Sequence, residues 1–167
     1  MSENKKNIIK EIISYVVVIG IAVLLKVYVF SPIVVNGSSM YPTLHDNDIM
    51  ILNKFSYHFE DIKRFDIVVS KDEEGYLVKR VIGLPGDVIY YEDNKLYVNG
   101  KVVEENFKHG KTEGFGEVKV HEGEYFLVGD NRERSLDSRK LGCFKRKDIL
   151  GKTSYVLYPF DRWGSKN

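Results

Sequence analysis

The sequence predicts a mainly β protein, in which one compact antiparallel, barrel-like sheet domain is carried on a single N-terminal transmembrane helix. Three observations predict this fold class. An apolar run near the N-terminus is long enough to span a bilayer, and short β-rich runs between turn signals follow it. The 167 residues also include 11 tyrosines and 9 phenylalanines, which are enriched in strands. A chain of this length is expected to hold one modest domain and an anchor.

The predicted anchor is the apolar run over residues 12–30. As a helix with a rise of about 1.5 Å per residue, it would span roughly 28 Å, about the thickness of one hydrocarbon core. Lys26 interrupts the run near its far end, where a lysine side chain can reach the interface. Ser31 and Pro32 are expected to end the helix, because proline cannot continue one.

A cleavable secretory signal is the alternative interpretation, because such signals also combine a basic start with an apolar stretch. No small-x-small cleavage site follows the run, and the chain continues directly into β-rich sequence, which favours a retained anchor. Lys5, Lys6 and Lys10 precede the run and predict that residues 1–11 are cytoplasmic. Residues 31–167 would then form an extracytoplasmic domain.

Strands are predicted in this domain wherever a short β-rich run lies between turn signals. They cover residues 48–53, 66–70, 76–82, 88–91, 95–98, 101–103, 124–128 and 153–158. Asn99-Gly100 predicts a tight hairpin, because a type I′ turn needs positive φ at both central residues. Leu84-Pro85-Gly86-Asp87 predicts a second turn, in which proline presets φ and glycine supplies the positive value. Residues 107–121 are rich in glycine and lysine and are expected to form a surface loop.

Composition argues against several classes of function. The formal net charge of +1 gives no electrostatic footprint for nucleic acid. Cys143 is the single cysteine, which excludes an internal disulfide and a cysteine-based zinc cluster. The four histidines show no metal-ligand spacing; they are His45, His58, His109 and His121. Neither a metal nor another cofactor is expected.

Three stretches differ from ordinary strand or turn sequence: residues 37–44 (GSSMYPTL), 78–87 (VKRVIGLPGD) and 129–139 (GDNRERSLDSR). Each has a plain structural interpretation when taken alone. Serines beside glycine and proline are more often a loop than a nucleophile, and a lysine beside an arginine in a strand is usually a solvated face. The third stretch by itself would fit a capped turn with ion pairs.

Together, and in this order, the three stretches resemble the bacterial type I signal peptidases, or leader peptidases. The matching elements are Ser-Met-x-Pro-Thr-Leu from Ser39, Lys-Arg-x-x-Gly-x-Pro-Gly-Asp from Lys79 and Gly-Asp-Asn-Arg-x-x-Ser-x-Asp-Ser-Arg from Gly129. The similarity continues through Gly142 and Ile149-x-Gly151-Lys152, so that it covers essentially the whole chain, anchor included. The short length and single anchor resemble the compact members of Gram-positive-type bacteria. Lysine, rather than histidine, at the second element favours the bacterial type over the ER type.

The resemblance implies a membrane-bound serine endopeptidase with a Ser–Lys dyad, in which Ser39 is the nucleophile and neutral Lys79 is the general base. It also implies that Ser135 orients the lysine amine by a hydrogen bond. Ion pairs are expected to hold the third stretch beside the strand of Lys79, through the scaffold residues Asp137, Arg139 and Arg80. Asp130 and Asn131 are expected only to shape a turn.

Lys79 can act as a base only if its pKa is lowered. A free lysine has a pKa near ~10.4, so that about one in 2,500 is neutral at pH 7. Burial disfavours the charged ammonium and can bring the pKa of a lysine down to about 5–6. The apolar neighbours Leu77, Val78, Val81 and Ile82 predict such a buried setting.

The implied substrates are secreted preproteins, cut after the signal peptide's apolar core at the outer face of the bacterial cell membrane. The extended segment of the substrate is expected to bind as an added β-strand. Val35, Leu44 and Val78 lie where the family forms apolar pockets for small P1 and P3 side chains, with ordinary core packing as the alternative. Gly37 stands where some members have a serine that assists the oxyanion, so this role is expected to fall mainly to the Ser39 backbone N–H.

Membrane lipid is the second expected partner. Besides the anchor, the aromatic residues of the segment 158–163 fit the outer membrane interface, where Tyr and Trp are favoured. The alternative is a final strand that packs these aromatic side chains inward.

Two other classes of protein are alternatives to this interpretation. A self-cleaving repressor also uses a Ser–Lys pair, but it would carry a DNA-binding helical domain where this chain has an apolar run. An anchored binding module with a non-functional pair is the second, and nothing missing from the three stretches favours it.

Overall fold

The computed structural model of the chain describes residues 3–73 and 75–166. An N-terminal helix, α1 (Glu3–Tyr28), precedes a domain built almost entirely from strands. The strands are β1 (Phe30–Val34), β2 (Ile49–Asn53), β3 (Ile67–Lys71), β4 (Tyr76–Gly83), β5 (Val88–Glu92), β6 (Lys95–Val98), β7 (Lys101–Val103), β8 (Phe115–Lys119), β9 (Glu124–Val128), β10 (Phe144–Lys145), β11 (Ile149–Tyr158) and β12 (Gly164–Ser165). A short helix, α2 (Ser138–Leu141), lies between β9 and β10. The predicted mainly β fold class is confirmed.

Helix α1 contains the apolar run. Its window Asn7–Leu24 has a mean hydropathy of 2.0 and none of it is buried against the rest of the protein. Within the described residues it is the one helix long and apolar enough to cross a membrane. The helix ends at Tyr28, and Phe30, the last residue of the predicted anchor, already pairs with Asn53 of β2. The side chains of Lys5, Lys6 and Lys26 lie outside the described residues.

The described strands form two antiparallel sheets. The larger sheet has the order β1-β2-β11-β3-β4-β9-β10, with β12 beside β11, and the smaller has the order β7-β6-β5-β8. Strand β11 lies between β2 and β3, and its pairing with β2 shifts in register between Thr153 and Val156. Such bulges bend a strand and increase its twist, which curls the larger sheet.

The turns agree with the sequence prediction. Asn99 and Gly100 join β6 to β7 with φ values of 51° and 76°, as a type I′ turn requires. Gly86 has a φ of 87° in the turn between β4 and β5, where the amide of Asp87 donates to the carbonyl of Leu84 at 3.0 Å. Turn chemistry therefore determines how these hairpins close.

The predicted loop over residues 107–121 is wrong in its second half, because β8 lies there and pairs with β5. Phe115 and Val118 of this strand pack against a buried cluster that includes Ile89, Tyr91 and Phe126. The exposed residues Gly116 and Glu117 separate these two apolar positions, so the strand shows no regular alternation in the sequence. Strands β1, β10 and β12 were also absent from the prediction, since two are very short and β1 contains a proline at the sheet edge.

A second buried cluster lies under the segment that joins β1 to β2. It is formed by Val35, Met40, Leu44, Met50, Ile67 and Val156, with Ile33 and Val78 packed against it. Three members of this cluster come from the segment itself, so that the segment is attached to the sheet by its apolar side chains. The residues that carry the first motif are therefore held in place by the core.

Candidate active site

The serine loop, defined here as residues 35–47, brings Ser39 to the edge of the sheet. Its ends are closed by hydrogen bonds from the Val35 amide to the Asp48 carbonyl at 2.9 Å and from the Asn47 amide to the Val35 carbonyl at 2.8 Å. Met40 and Leu44 are 1% and 0% exposed and fix the loop from beneath. Ser39 is half-buried, whereas Ser38 is exposed.

The side chain of Lys79, on β4 of the larger sheet, reaches Ser39. Its side-chain amine Nζ lies 2.8 Å from Ser39 Oγ and 3.2 Å from the Val78 carbonyl oxygen. The residue is only 2% exposed, and its register partner on β3 is the fully buried Val68. The sequence-predicted pair is therefore within hydrogen-bonding distance in an apolar setting.

Burial lowers the pKa of Lys79 to about 8, because the charged ammonium loses its hydration. The carboxylates of Asp137 and Asp72 act in the opposite direction, since negative charge favours the ammonium form. With a pKa of about 8, roughly one Lys79 in ten is neutral at pH 7. The amine can thus accept a proton at modest free-energy cost, about 1.4 kcal/mol at pH 7.

Arg80, the next residue on β4, forms a buried ion pair with Asp130. Arg80 Nε donates to Asp130 Oδ1 at 2.9 Å and Arg80 Nη2 donates to Asp130 Oδ2 at 2.7 Å, with both side chains at most 1% exposed. The hydroxyl of Thr43 also donates to Asp130 Oδ2, at 2.5 Å. Asp130 therefore does more than the turn formation expected of it, since it joins β4 to the serine loop.

Asn131 holds the backbone on either side of the serine. Its amide donates to the Ser39 carbonyl at 3.0 Å, and its side-chain Nδ2 donates to the Ser38 carbonyl at 2.9 Å. Gly129, two residues earlier, lies so close to the Ser39 carbonyl and to Ser135 that a Cβ at this position would clash with both. The third sequence stretch is thus packed directly onto the serine loop.

Asp137 organises the rest of this third stretch. Its carboxylate accepts from Arg139 Nε at 2.9 Å, from Arg139 Nη2 at 2.8 Å and from the Gly129 amide at 3.0 Å. Burial raises the pKa of Asp137, but hydrogen bonds from Arg139 and the Gly129 amide, together with the nearby Ser135 hydroxyl, outweigh it and hold the pKa below its ordinary value. Arg139 pairs with Asp137 within its own turn, whereas Arg80 on β4 pairs with Asp130 and so joins β4 to the third stretch.

Ser135 is 7% exposed and lies beside Gly129 and Asp137. Ser135 Oγ is buried and forms no hydrogen bond with any described residue. We therefore place Ser135 near the pair without a hydrogen bond to Lys79. Its role in orienting the lysine amine stays a prediction.

A cleft of about 400 Å³ opens beside Ser39 and Lys79. Val35 and Val78 line it, together with residues of β1, β2, β3 and β4 and with Leu150. Leu44, the third predicted pocket residue, lies in the core cluster that also contains Val35. Gly37 is exposed with a φ of 87°, and its amide donates to Asp46 Oδ1 at 2.7 Å.

The described residues bring together no group of three or more side chains of the kind that bind metal ions. Cys143 is half-buried, and burial raises the pKa of its thiol to about 11, with Glu124 adding to the effect. The contacts of Thr43, Asp130 and Asn131 were not predicted from the sequence, although all three residues lie within the stretches that differ from ordinary strand or turn sequence. Long-range pairing, rather than residue type, decides these contacts.

Comparison with known proteins gives consistent results. Residues 7–158 match the model of the family described as signal peptidase, peptidase S26. The chain is 40% identical to signal peptidase I S of Bacillus subtilis (strain 168), with 99% of each chain covered. It is 42% identical to signal peptidase I of Bacillus amyloliquefaciens over 87% of this chain and 85% of that relative. A crystal structure of a signal peptidase I from Enterococcus faecalis V583 is similar with a TM-score of 0.50 and 33% identity, over 56% of this chain and 97% of that one.

The buried Arg80–Asp130 pair generates a prediction about stability. Asp130→Asn leaves the guanidinium of Arg80 buried without its counter-charge, so the free energy of unfolding is expected to fall by about 3–5 kcal/mol. Thermal unfolding of the full chain in detergent, followed by circular dichroism, measures the change. Lys152→Ala is the control, because the Lys152–Asp66 pair has a cation that is 32% exposed and is expected to contribute only about 0–1 kcal/mol. Equal losses in the free energy of unfolding for the two variants would contradict the greater importance assigned to the buried Arg80–Asp130 pair.

Proposed function

The chain belongs to the peptidase S26 family of signal peptidases, and from this premise we propose that it is a membrane-bound serine endopeptidase that removes N-terminal signal peptides from exported preproteins. The observation that carries the Ser–Lys mechanism is the distance of 2.8 Å between Lys79 Nζ and Ser39 Oγ. Burial of the lysine supports it, because the amine must be neutral to act as a base. Ser39 is the nucleophile and Lys79 the general base in this proposal.

In the first half of the reaction, Ser39 Oγ attacks the scissile carbonyl carbon while neutral Lys79 takes the hydroxyl proton. The tetrahedral intermediate then collapses, and the resulting ammonium gives its proton to the leaving amine of the mature protein. The signal peptide stays bound as an ester on Ser39. In the second half, Lys79 takes a proton from water, which attacks the ester carbonyl carbon. The bond to Ser39 Oγ then breaks, the ammonium of Lys79 returns its proton to this oxygen, and the signal peptide leaves as a carboxylic acid that ionises in solvent.

The oxyanion of these intermediates needs hydrogen-bond donors near Ser39. Gly37 has no side chain to offer, and its amide already donates to Asp46 Oδ1 at 2.7 Å. We therefore assign this role mainly to the backbone N–H of Ser39. The contacts of Asn131 with the Ser38 and Ser39 carbonyls would fix the direction of that N–H.

The substrate is proposed to bind in extended form along β4. Pairing of β4 with β9 begins at Arg80, so the edge of Tyr76–Lys79 that faces away from β3 has no strand partner among the described residues. An added strand can use the free backbone groups of such an edge. Val35 and Val78 narrow the adjacent cleft, which supports a preference for small P1 and P3 side chains. Leu44 would set the pocket floor only through its packing in the same core cluster as Val35.

The proposed location is the bacterial cell membrane, with a single span, a cytoplasmic N-terminus and an extracytoplasmic catalytic domain. The apolar length of α1 and the lysines at its start support this orientation. Tyr158, Phe160 and Trp163 are 51%, 80% and 62% exposed, which favours contact with the membrane interface over inward packing.

Substitution of the two neighbouring serines tests the nucleophile. Ser39→Ala is expected to reduce cleavage of a preprotein to background, since the attacking oxygen is removed. Ser38→Ala is expected to retain much of the activity, because Ser38 is exposed and offers Asn131 its backbone carbonyl rather than its hydroxyl. Mass spectrometry of the products, with purified full chain in detergent, locates the cut. An inactive Ser38→Ala beside an active Ser39→Ala would show that the wrong serine was assigned.

Lys79→Arg tests the general base. Guanidinium keeps its proton at all working pH values, so kcat is expected to fall by about a hundredfold to ten-thousandfold. The control is Lys95→Arg on β6, an exposed lysine in the other sheet, which should leave kcat unchanged. Near-normal turnover by Lys79→Arg would remove the base assignment.

The charge near Lys79 predicts a change in pH dependence. Activity is expected to rise with pH as the ammonium of Lys79, with a pKa of about 8, loses its proton. The Asp72 carboxylate raises that pKa, so Asp72→Asn should move the rising limb of the kcat/KM profile to lower pH. Asparagine can still accept the Gly75 amide that Asp72 Oδ1 binds at 2.7 Å.

Asp93→Asn is the matched control for this profile, because Asp93 is exposed in the turn between β5 and β6 and is not one of the carboxylates that raise the pKa of Lys79. Its profile should coincide with that of the unmodified protein. A shift of the Asp72→Asn profile to higher pH would contradict the electrostatic account.

A further inference from the structure

Arg162 lies outside the three stretches that carry the family resemblance. It ends the short 3-10 turn Phe160–Arg162, which follows β11 near the C-terminus. Its neighbours Phe160 and Trp163 are 80% and 62% exposed, but the Arg162 side chain is only 19% exposed. The guanidinium turns back from this exposed segment onto the end of the serine loop.

Arg162 contacts three residues there, all distant in sequence. Its Nε donates to Asp48 Oδ1 at 3.0 Å and its Nη2 donates to Asp48 Oδ2 at 3.0 Å, which is a bidentate pair. Nη2 also donates to the Thr43 carbonyl at 3.1 Å. Nη1 lies 3.0 Å from His45 Nε2. One side chain therefore binds the serine loop at two positions and the first residue after it.

The contact with Arg162 also affects the charge of Asp48. Burial raises the pKa of Asp48, but hydrogen bonds from Arg162 and from the His45 amide outweigh it and keep the pKa below its ordinary value. Asp48 is 1% exposed, so its charge needs this partner.

The same part of the loop is held from its other side. Thr43 gives its carbonyl to Arg162 and its hydroxyl to Asp130, the partner of Arg80 beside Lys79. Directly after Ser39, residues 40–44 form a tight turn, in which the Leu44 amide donates to the Met40 carbonyl at 2.9 Å. A movement of Thr43 is therefore transmitted over a few residues to Ser39.

We propose that Arg162 is a positioning residue for the cleavage reaction, which holds the serine loop so that Ser39 Oγ stays within reach of Lys79. The inference rests on the proposed function for its effect on cleavage, but the contacts themselves do not depend on it. Arg162 touches neither the substrate cleft nor the Ser–Lys pair. It acts through Thr43, His45 and Asp48.

Such a role has a kinetic signature. Displacement of a reacting group by about 1 Å can cost roughly a hundredfold in rate, even when substrate binding is unaffected. Loss of Arg162 is therefore expected to lower kcat and to leave KM nearly unchanged, since the residues lining the cleft are untouched. The pH of the rising limb should also stay in place, because Arg162 is not among the groups that set the pKa of Lys79.

The experiment compares Arg162→Ala and Arg162→Lys with the control Arg64→Ala, all as full chains in detergent. Arg64 is also 19% exposed, and its Nη2 pairs with Asp87 at 2.9 Å while its Nη1 donates to the Ile82 carbonyl at 2.5 Å, away from the serine loop. The substrate is a synthetic peptide that spans the cleavage site of a signal peptide with Ala at P1. Measured quantities are kcat, KM, the pH profile, Tm and hydrogen exchange of the backbone amides.

For Arg162→Ala we expect kcat to fall by about tenfold to a hundredfold, with KM within about twofold and the rising limb of the pH profile unchanged. Amides of the serine loop, including Leu44 and Asn47, should exchange faster, while those of β4 do not. Arg162→Lys should recover part of kcat, because it keeps the charge but loses the planar fork. Arg64→Ala should retain kcat even if it lowers Tm by a similar amount.

Either of two results would overturn the proposal. The first is an unchanged kcat in folded Arg162→Ala. The second is an equal loss of kcat in Arg162→Ala and Arg64→Ala when both variants lose the same amount of Tm. If the unmodified protein cuts no signal peptide, the proposed function fails, and hydrogen exchange alone decides on the positioning role. Unchanged exchange of the serine loop in Arg162→Ala would then refute it.

Discussion

The buried ion pair between Arg80 and Asp130 is the contact on which the arrangement of the candidate site depends. It joins β4, which carries Lys79, to the turn after β9, which carries Asn131. Through the Thr43 hydroxyl the same carboxylate also binds the serine loop. A buried pair of this kind contributes little net stability against an apolar alternative, but it tolerates few other geometries. Its value here lies in fixing three segments relative to one another.

Lys79 shows the opposite use of burial. Arg80 is buried with both oxygens of the Asp130 carboxylate and the Phe65 carbonyl as acceptors, whereas Lys79 is buried beside a hydroxyl and a carbonyl and has a lowered pKa. Of these two adjacent residues, only Arg80 has a carboxylate in direct contact. The nearby carboxylates Asp72 and Asp137 limit how far the pKa of Lys79 falls. In the proposed mechanism, this balance sets the pH range in which the amine is an effective base.

Much of the fold was predictable from local sequence, whereas the residues of the candidate pair were identified only through the resemblance of three stretches to a known family. Asn99-Gly100 and the turn at Gly86 specify their own backbone conformations, and the strands around them follow from β-rich runs. Strand β8 was missed because Gly116 and Glu117, both exposed, interrupt its apolar residues and remove the alternation typical of a strand. The roles of Asp130 and Arg162 could not be read from the sequence, because their partners lie 50 and 114 residues away and are set by sheet topology. For Leu44 the sequence could not distinguish a pocket residue from a core residue, since both positions favour apolar side chains.

The proposed Ser–Lys mechanism depends most directly on the protonation of Lys79. Its pKa can be measured by NMR on the full chain in detergent micelles, with carbon-13 at the lysine Cε positions and the Lys79 signal assigned from Lys79→Arg. We expect the Lys79 signal to titrate with a pKa of about 8. A pKa near ~10.4, as in a free lysine, would mean that the amine is almost entirely protonated at neutral pH, and this would contradict the proposed base.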